Sequence, residues 1–258
     1  MKAMNTYATY PSLSGRNVVI TGGASGIGEA LVTAFAMQGA RVAFLDLQVE
    51  AGKALAERLS DEGYPMPCFY ECDLTDVDAL QRVLRSIVEA FGTVDVLVNN
   101  AGDDTRHRIE DVTSESWDHS IAVNLKQQFF MIQGVIASMQ KAGGGSVINM
   151  SSIGWVVPST GLPIYVSAKA AIVGMTRALA HELGVDNIRV NSVMPGAIQT
   201  ERQKRLWLTE AYKSEILSRQ ALKRMLVPED VARLVLFLAA DDSSAITNQA
   251  YVVDGGWV

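Results

Sequence analysis

The chain has 258 residues, 48% of them hydrophobic and 19% charged, and its formal net charge is −6. This is the composition of a globular protein rather than of a disordered or coiled-coil chain. The acidic balance gives no indication of the basic surface that nucleic-acid-binding proteins present, and no apolar run reaches the roughly 18 residues that a membrane helix needs. The first residues contain no apolar signal core, so we expect a cytoplasmic protein with neither a nucleic-acid nor a membrane partner.

The chain contains two cysteines, Cys68 and Cys72, which lie in one apolar, strand-like run. At this spacing on a single strand the two thiols are too far apart to form a disulfide bond, and the spacing does not match a zinc site. We therefore expect both thiols to be free and packed in the core or near a cofactor. No metal site is expected.

Strand and helix patterns alternate along the chain after an N-terminal arm over residues 1–14. The first strand begins at Val18, and apolar residues from Ile27 to Phe35 recur at helical spacing until Gly39 ends the helix. The further strands are predicted at RVAFLDL, PCFYECDL, VDVLVNN, SVINMSS, IRVNSVMPG and AYVVDGG. Further helices are predicted at 50–60, after a capping box of Thr75 and Asp78, at 166–183, and at 229–240 with Pro228 in its first turn.

This alternation predicts one α/β domain over residues 1–258. Strands that alternate with helices form parallel sheets covered on both faces. We therefore expect a single Rossmann-type, doubly wound domain with a mostly parallel, seven-stranded sheet and helices on both faces. Because such sheets bind ligands beyond the carboxyl ends of their strands, the functional side chains should lie where the strands end.

A glycine-rich turn, TGGASGIG, joins the first predicted strand to the first helix. Gly22, Gly26 and Gly28 lack a Cβ atom, so the backbone can turn tightly and a pyrophosphate can approach it. The helix that follows offers unpaired N–H groups and the positive end of its dipole to a phosphate. The spacing differs from the common G-x-G-x-x-G pattern, but its place between a strand and a helix favours a dinucleotide site.

Asp46 ends the second predicted strand. A carboxylate at this position accepts hydrogen bonds from the adenosine ribose hydroxyls and repels a 2′-phosphate. No Lys or Arg follows it directly, and Ser25 leaves the glycine-rich turn uncharged. The cofactor predicted by this pattern is NAD rather than NADP.

Tyr165 and Lys169 are four residues apart on a predicted helix, which places both side chains on one face. A lysine ammonium beside a phenol favours the phenolate, so the pKa of the tyrosine should fall towards the working pH. Ser152 ends the fifth strand, from which its hydroxyl can reach the same point. The spacing of Tyr165 and Lys169 is very common and by itself indicates no function, but together with Ser152 it predicts acid–base chemistry.

Motifs along the chain resemble, in order and spacing, the main branch of the short-chain dehydrogenase/reductase family. They are TGGASGIG, Asp73-Leu74, Asn99-Asn100-Ala101-Gly102, Asn124, Ser152, YVSAK and PGAIQT. The resemblance extends over residues 15–256 and implies an NAD-dependent oxidoreductase. It also implies a homotetramer built on the helices that flank the active site.

The resemblance implies a role for each catalytic residue. Tyr165 would be the base, Ser152 would bind the reacting oxygen, and Lys169 would hold the nicotinamide ribose. Asn124 would anchor a water molecule that links Lys169 to solvent, and Asp73 would bind the adenine amino group. Together with the turn and Asp46, the implied cofactor contacts are Gly22, Ser25, Gly26, Ile27, Gly28, Asp46, Leu47, Asp73, Leu74, Asn100, Ala101, Gly102, Tyr165, Lys169, Pro195, Gly196, Ile198 and Thr200.

Two segments should face the reacting carbon, namely residues 103–107 and a mobile lid at about 199–222. They carry carboxylate, amide, guanidinium and indole groups, which suit a polyhydroxylated small molecule. The predicted substrate contacts are Asp104, Ser152, Trp155, Tyr165, Gln199 and Arg202. The alternative is that the polar lid residues are merely its solvated surface.

Longer runs, such as NNAGDDTRHRIEDVT and SIGW, are similar to bacterial NAD-dependent D-xylose and other aldose 1-dehydrogenases. This resemblance implies oxidation of an aldopyranose, a pentose such as D-xylose, at its anomeric carbon to an aldonolactone. One alternative is a dehydrogenase of another sugar, a sugar acid, a polyol or a small secondary alcohol or ketone. Another is a non-enzymatic NAD-binding sensor or scaffold.

Overall fold

The computed structural model describes residues 8–258, so the first seven residues of the predicted arm lie outside the described residues. The described part of the arm is folded against the domain. Pro11–Leu13 forms a 3-10 turn, and Leu13 is fully buried. The backbone N–H of Tyr10 also donates a hydrogen bond to Oε1 of Gln38 at 2.8 Å. This part of the chain therefore belongs to the packed domain.

A single parallel sheet forms the centre of the molecule. Its strands are β1 Asn17–Thr21, β2 Arg41–Asp46, β3 Cys68–Glu71, β4 Val96–Asn99, β5 Gly145–Met150, β6 Ile188–Pro195 and β7 Ala250–Val253. Their order is β3-β2-β1-β4-β5-β6-β7, and every pairing is parallel. The predicted fold class is confirmed, and the order reverses between β1 and β4, the usual place of a ligand crevice.

Helices connect the strands and cover both faces of the sheet. They are α1 Gly26–Met37, α2 Val49–Asp61, α3 Val77–Phe91, α4 Ser114–Ile121, α5 Gln127–Ala142, α6 Pro163–Leu183, α7 Glu201–Leu206, α8 Glu210–Arg219 and α9 Pro228–Ala239. Short 3-10 turns lie at Ile109–Asp111, Ile153–Trp155, Gly184–Asp186 and Asp241–Ser243, and a π-helical turn at Ala122–Lys126 joins α4 to α5.

Two apolar clusters hold these layers together. One packs α1, α2 and α9 against one face of the sheet, and the other packs α3, α5 and α6 against the other face. The central strands are buried on both faces, which explains why they read as continuous apolar runs rather than alternating ones. All five residues of β1 are buried, for example.

Some local predictions were wrong. The helix after Thr75 does not begin with a Thr75–Asp78 capping box. Its N-cap is Asp76, whose carboxylate accepts a hydrogen bond from the N–H of Ala79 at 2.9 Å. Both cysteines are free, but only Cys72 is buried, whereas Cys68 is exposed on the edge strand β3.

The helical region from α4 to α5 was not predicted. α4 contains no buried residue, and α5 buries two glutamines, Gln127 and Gln128, in its first turn. Both features obscure the apolar periodicity by which an amphipathic helix is recognised. Within residues 8–258, no helix is both long and apolar enough to cross a membrane.

Candidate active site

A cavity of about 680 Å³ opens at the carboxyl ends of the strands. Its walls include the turn after β1, Asp46 of β2, Asp73 beyond β3, Asn100 beyond β4 and Ser152 beyond β5. This volume is within the range of small-molecule sites, roughly 300–1,000 Å³. The motifs that the sequence analysis selected therefore converge where the topology predicts a ligand.

The glycine-rich turn is shaped by the absence of side chains. Gly22 and Gly26 have φ angles of 64° and 59°, which L-residues with side chains rarely adopt. A Cβ atom on Gly28 would lie 1.7 Å from the carbonyl oxygen of Gly22. The N-cap of α1, Ser25, makes no capping hydrogen bond with its side chain, so the first N–H groups of the helix remain available for an anion.

Asp46 supports the same turn. It is 8% exposed, and its Oδ2 accepts a hydrogen bond from the N–H of Ala24 at 2.9 Å. Its Oδ1 accepts hydrogen bonds from the backbone N–H of Gln48 at 3.0 Å and from the side-chain amide at 3.3 Å. A carboxylate has about four acceptor positions, so Asp46 can still accept about one hydrogen bond from a hydroxyl group of a ligand.

Asp73 lies beside His119 of α4, and both residues line the cavity. Hydrogen bonds from the hydroxyl and the N–H of Thr75 lower the pKa of Asp73, and the charge of His119 acts in the same direction. The sequence analysis did not identify His119 as a site residue. It lies on α4, a helix that the sequence analysis did not predict.

Asn100 is hydrogen-bonded to the glycine-rich turn after β1. Its amide donates hydrogen bonds to the carbonyl oxygens of Thr21 and Gly22, at 3.1 and 3.0 Å. The backbone N–H groups of Asn100 and Ala101 both donate to the hydroxyl of Thr21 at 3.0 Å. These bonds lock the segment after β4 to the glycine-rich turn.

Ser152, Tyr165 and Lys169 converge at the ends of β5 and α6, and all three line the cavity. Ser152 and Tyr165 are joined by a hydrogen bond. The ammonium nitrogen of Lys169 lies 5.4 Å from the centroid of the Tyr165 ring and donates a hydrogen bond to the carbonyl oxygen of Met150 at 3.0 Å. Lys169 is only 3% exposed.

Burial shifts the pKa values of both Tyr165 and Lys169, and the direction of the shift at Tyr165 differs from the prediction. In the protein alone, burial raises the pKa of Tyr165 to about 12, the hydrogen bond from Ser152 opposes this, and the charges of Asp104 and Asp103 raise it further. Burial lowers the pKa of Lys169 to about 8, and the charge of Asp104 opposes that change. The expected fall in the pKa of Tyr165 beside Lys169 is therefore wrong for the protein without ligands.

Asn124 lies in the π-helical turn, a feature that is often found at functional sites. It is fully buried and is not part of the cavity wall. Its Oδ1 accepts a hydrogen bond from the N–H of Asp103 at 2.9 Å, and its amide nitrogen donates to the carbonyl oxygen of Asp103 at 3.0 Å. A Cβ atom on Gly102 would lie 3.0 Å from Oδ1 of Asn124 and 3.2 Å from the ammonium nitrogen of Lys169. Asn124 thus clamps the loop beside Lys169, and its water-anchoring role stays a prediction.

The end of β6 and the segment after it carry a further group of predicted cofactor residues. All of them line the cavity: Pro195, Gly196, Ile198 and Thr200. A Cβ atom on Gly196 would lie 2.7 Å from Cβ of Asp254, so glycine is needed for this close contact. A bridge between Ile198 and Leu226 closes the base of the predicted lid, so the intervening residues form an excursion over the cavity.

Two of the residues predicted to contact the substrate, Asp104 and Arg202, pair with each other. Arg202 of α7 donates to Oδ1 of Asp103 at 2.6 Å and to Oδ1 of Asp104 at 3.2 Å. Gln203 donates to Oδ2 of Asp104 at 2.5 Å. These contacts join the lid to the loop after β4, and Asp104 and Arg202 remain part of the cavity wall.

Trp155 and Gln199 are not brought to the cavity. Trp155 lies on the 3-10 turn after Ser152, is 37% exposed and is not among the lining residues. Gln199 is also outside the lining, and its N–H pairs with the carbonyl oxygen of Leu226 at 2.8 Å. The lid also presents apolar side chains to the cavity. The residues on this side that the sequence analysis missed include Leu208, Tyr212, Ile216, Met225 and, from the C-terminal segment, Trp257.

One signal in the sequence indicated this apolar side of the lid. Leu208, Tyr212 and Ile216 recur at intervals of four residues, the spacing of one helical face. Arg106, from the loop after β4, lies with its guanidinium carbon 4.8 Å from the ring centroid of Trp207 and 5.8 Å from that of Tyr212. The lid and the loop after β4 form the roof of the cavity, and this roof carries both apolar and charged side chains.

Comparison with known proteins agrees with this site. Residues 22–258 match the profile of a family described as enoyl-(acyl carrier protein) reductase. A protein of Rhizobium meliloti named as a galactose dehydrogenase is 51% identical over 247 residues, covering 96% of each chain. The D-xylose 1-dehydrogenase of Caulobacter vibrioides is 51% identical over 251 residues, covering 97% of this chain and 98% of its own. The solved structure of a 7α-hydroxysteroid dehydrogenase in complex with NADH superposes with a TM-score of 0.89 at 30% identity, over 96% of both chains.

The fold and the cavity thus define an oxidoreductase built on a Rossmann-type sheet. The chain belongs to the short-chain dehydrogenase/reductase family, as the full-length match and the relatives show.

Proposed function

We propose that this enzyme oxidises an aldopyranose, with D-xylose as the first candidate, at its anomeric carbon to an aldonolactone, with NAD as cofactor. The main support is the convergence of Ser152, Tyr165 and Lys169 at a cavity whose roof carries Asp104 and Arg202. The two sugar dehydrogenases that are 51% identical over almost the whole chain support the substrate class.

The residues present fit a dinucleotide. A Cβ atom on Gly28 would collide with the backbone of Gly22, so the turn packs closely on α1 and leaves its N–H groups open to a pyrophosphate. The buried carboxylate of Asp46 ends β2, where ribose hydroxyls are bound in this fold and where a 2′-phosphate would be repelled. When bound, NAD supplies the hydride acceptor and the positive ring charge that favours a nearby phenolate.

The protein's own groups carry the proton chemistry. Tyr165, as phenolate, removes the proton of the anomeric hydroxyl group, and Ser152 donates a hydrogen bond to the same oxygen. The buried ammonium group of Lys169 lies close enough to the phenol ring to stabilise the phenolate by charge. Asn124 keeps the loop after β4 in place against Lys169.

A second candidate is a small secondary alcohol that carries an apolar substituent. The observation in its favour is that Leu208, Ile216 and Met225 line the same cavity. A polyol or a sugar acid remains compatible with the charged part of the roof, because both present several hydroxyl groups. Polyols and secondary alcohols differ from an aldose in their product, since they give a ketone or an aldehyde, whereas oxidation at an anomeric carbon gives a lactone.

The active unit in this proposal is a homotetramer. Trp117 of α4 and Phe129 of α5 are 45% and 42% exposed, and the ring of Phe129 meets that of Phe130 edge to face. Large aromatic side chains that remain exposed on adjacent helices suit a subunit contact. Light scattering should give four times the mass of the chain, and the Phe129→Glu variant should have a lower mass because the subunit contact is weakened.

The function is tested by one panel of aldoses, polyols, sugar acids and hydrophobic secondary alcohols, each with NAD and with NADP. NADH or NADPH formation is followed by absorbance, and a lactone product is trapped with hydroxylamine. We expect pentopyranoses to give the highest kcat/KM and NAD to be much preferred. Turnover of polyols or hydrophobic alcohols without any aldose would refute the aldose assignment, and equal use of NADP would refute the cofactor assignment.

A further inference from the structure

The C-terminal segment after β7 is folded into a fixed turn. Asp254 is buried, and its two carboxylate oxygens accept hydrogen bonds from the N–H groups of Gly256 and Val258, both at 2.8 Å. Gly255 and Gly256 have φ angles of 70° and 79°, a conformation that favours glycine. Trp257 stands between the two residues whose N–H groups are held, so its backbone position is well defined.

This turn also pairs with the end of the lid. The N–H of Ala221 donates to the carbonyl oxygen of Gly256 at 3.1 Å, and the N–H of Leu222 donates to that of Gly255 at 2.8 Å. A Cβ atom on Gly256 would lie 2.8 Å from Cβ of Ala221, so the two backbones are in close contact. The C-terminal turn and the lid therefore form one wall.

Trp257 contributes its side chain to the cavity from this wall. The residue is half-buried, and it lines the cavity together with Tyr212, Ile216 and Met225 of the lid. The guanidinium carbon of Arg219 lies 5.8 Å from the centroid of its ring. The indole is thus supported from the side of α8 and presents an aromatic surface to a cavity that also contains Ser152 and Asp104.

A cavity with both kinds of wall suits a pyranose ring. The ring hydroxyl groups lie at its edge and need polar partners, whereas its C–H faces pack well on a flat aromatic ring. We infer that Trp257 is the residue on which the face of the substrate's sugar ring packs, and that it contributes to the choice of substrate. This inference rests on the proposed aldose function.

The indole of Trp155 is the competing platform, because it follows Ser152 by three residues in the sequence. Its position outside the cavity wall and its 37% exposure argue against it. The difference between the two tryptophans makes the inference testable, since each can be truncated in the same full-length enzyme.

The experiment compares Trp257→Ala, Trp257→Leu and Trp257→Phe with Trp155→Ala and with Val258→Ala. Val258 belongs to the same terminal turn, is 53% exposed and does not line the cavity, so its truncation is a matched control. For each variant, kcat and KM are measured with D-xylose, the Kd for NAD is measured by calorimetry, and folding is checked by thermal unfolding.

We expect Trp257→Ala and Trp257→Leu to raise KM for the aldose about tenfold, equivalent to about 1.4 kcal/mol, with kcat little changed. Trp257→Phe keeps a flat ring, so it should retain most of the affinity. Val258→Ala and Trp155→Ala should leave KM unchanged, and the Kd for NAD should be constant throughout.

Two outcomes would overturn the inference while leaving the proposed function intact. In the first, the wild-type enzyme oxidises the aldose, and the Trp257→Leu variant is folded and has an unchanged KM. The other is a rise in KM for Trp155→Ala without one for Trp257→Leu. If Trp257→Ala unfolds, the Leu and Phe variants still separate a lost ring face from a lost apolar contact. A wild-type enzyme that oxidises no aldose would remove both the inference and the function on which it rests.

Discussion

Replacing Lys169 by methionine should abolish turnover and yet stabilise the protein at neutral pH. Lys169 is 3% exposed, and burial lowers its pKa from 10.5 to about 8. At pH 7 the ammonium group of Lys169 is charged in both states, but it is desolvated in the folded protein and hydrated in the unfolded chain. With about 1.4 kcal/mol for each pKa unit, this charge costs about 3 kcal/mol.

The substitution also removes a favourable contact. The ammonium group donates a hydrogen bond to the carbonyl oxygen of Met150 at 3.0 Å, and that oxygen keeps a second, longer bond from the amide of Gln128 at 3.4 Å. Loss of such a hydrogen bond costs about 1 kcal/mol. The net gain in the free energy of unfolding at pH 7 should therefore be about 2 kcal/mol.

The sign of the effect should depend on pH. Between pH 8 and 10.5 the unfolded chain still binds the proton that folded Lys169 has released, so the stability of the wild type rises with pH through this window. Lys169→Met lacks this gain, and its advantage should vanish or reverse by pH 10. Lys53→Met, at an exposed position on α2, is the matched control and should show the same small difference at both pH values.

The assay is urea unfolding of the three proteins at pH 7 and at pH 10, with NADH formation as the measure of turnover. A Lys169→Met variant that is less stable than the wild type at pH 7 would refute the reasoning. So would a stability difference between the two proteins that stays constant across the pH range, because the buried charge would then not be the cause.

Three further predictions concern the cofactor and the base. Tyr165→Phe should lower kcat by at least about 100-fold with an unchanged Kd for NAD. The oxidative rate of the wild type should rise with pH, because a pKa of about 12 for Tyr165 leaves little phenolate at neutral pH. Asp46→Ser should reduce the preference for NAD over NADP, in kcat/KM, by about tenfold. Gly28→Ala places a Cβ atom 1.7 Å from the carbonyl oxygen of Gly22, so it should destabilise the fold by about 1–3 kcal/mol and abolish NAD binding. Gly174→Ala is the control, because this glycine of α6 has open space around it, and the substitution should raise stability in thermal unfolding.

The fold could be predicted from the sequence because its signals are local. Each buried strand is a short apolar run, and each is followed by a helix with its own period, so the alternation alone indicates a parallel sheet. Two regions are exceptions, namely α7 and α8, which were predicted only as a mobile lid, and the region of α4 and α5. Gln127 and Gln128 are buried there because they bond to the carbonyl oxygens of Ala101 and Met150, partners that only the tertiary structure supplies.

The cofactor side of the site was predictable for the same reason, since its residues follow the ends of strands. The substrate side was not, because it is assembled from segments that are distant in the sequence. Arg202 pairs with Asp103 across 99 positions, and Trp257 reaches the cavity only because the C-terminal turn pairs with the end of the lid. Trp155 is closer to Ser152 in the sequence but lies on a turn that leaves the cavity.

The pKa of Tyr165 shows why residue types alone do not determine reactivity. The spacing of Tyr165 and Lys169 predicts that they meet, and they do. The direction of the shift depends on a quantity that spacing does not contain, namely the loss of water around both groups. Desolvation disfavours the phenolate and the ammonium ion alike, so it raises one pKa and lowers the other.

Asp104 links this protonation to the lid. Its negative charge raises the pKa of both Tyr165 and Lys169, and its carboxylate is held by Arg202 and Gln203 of α7. A carboxylate that keeps Lys169 protonated also disfavours the phenolate that the proposed reaction needs. An arrangement of this kind suits a site that gains a positive charge when its cofactor binds, because the added charge then acts on a base that is otherwise protonated at neutral pH.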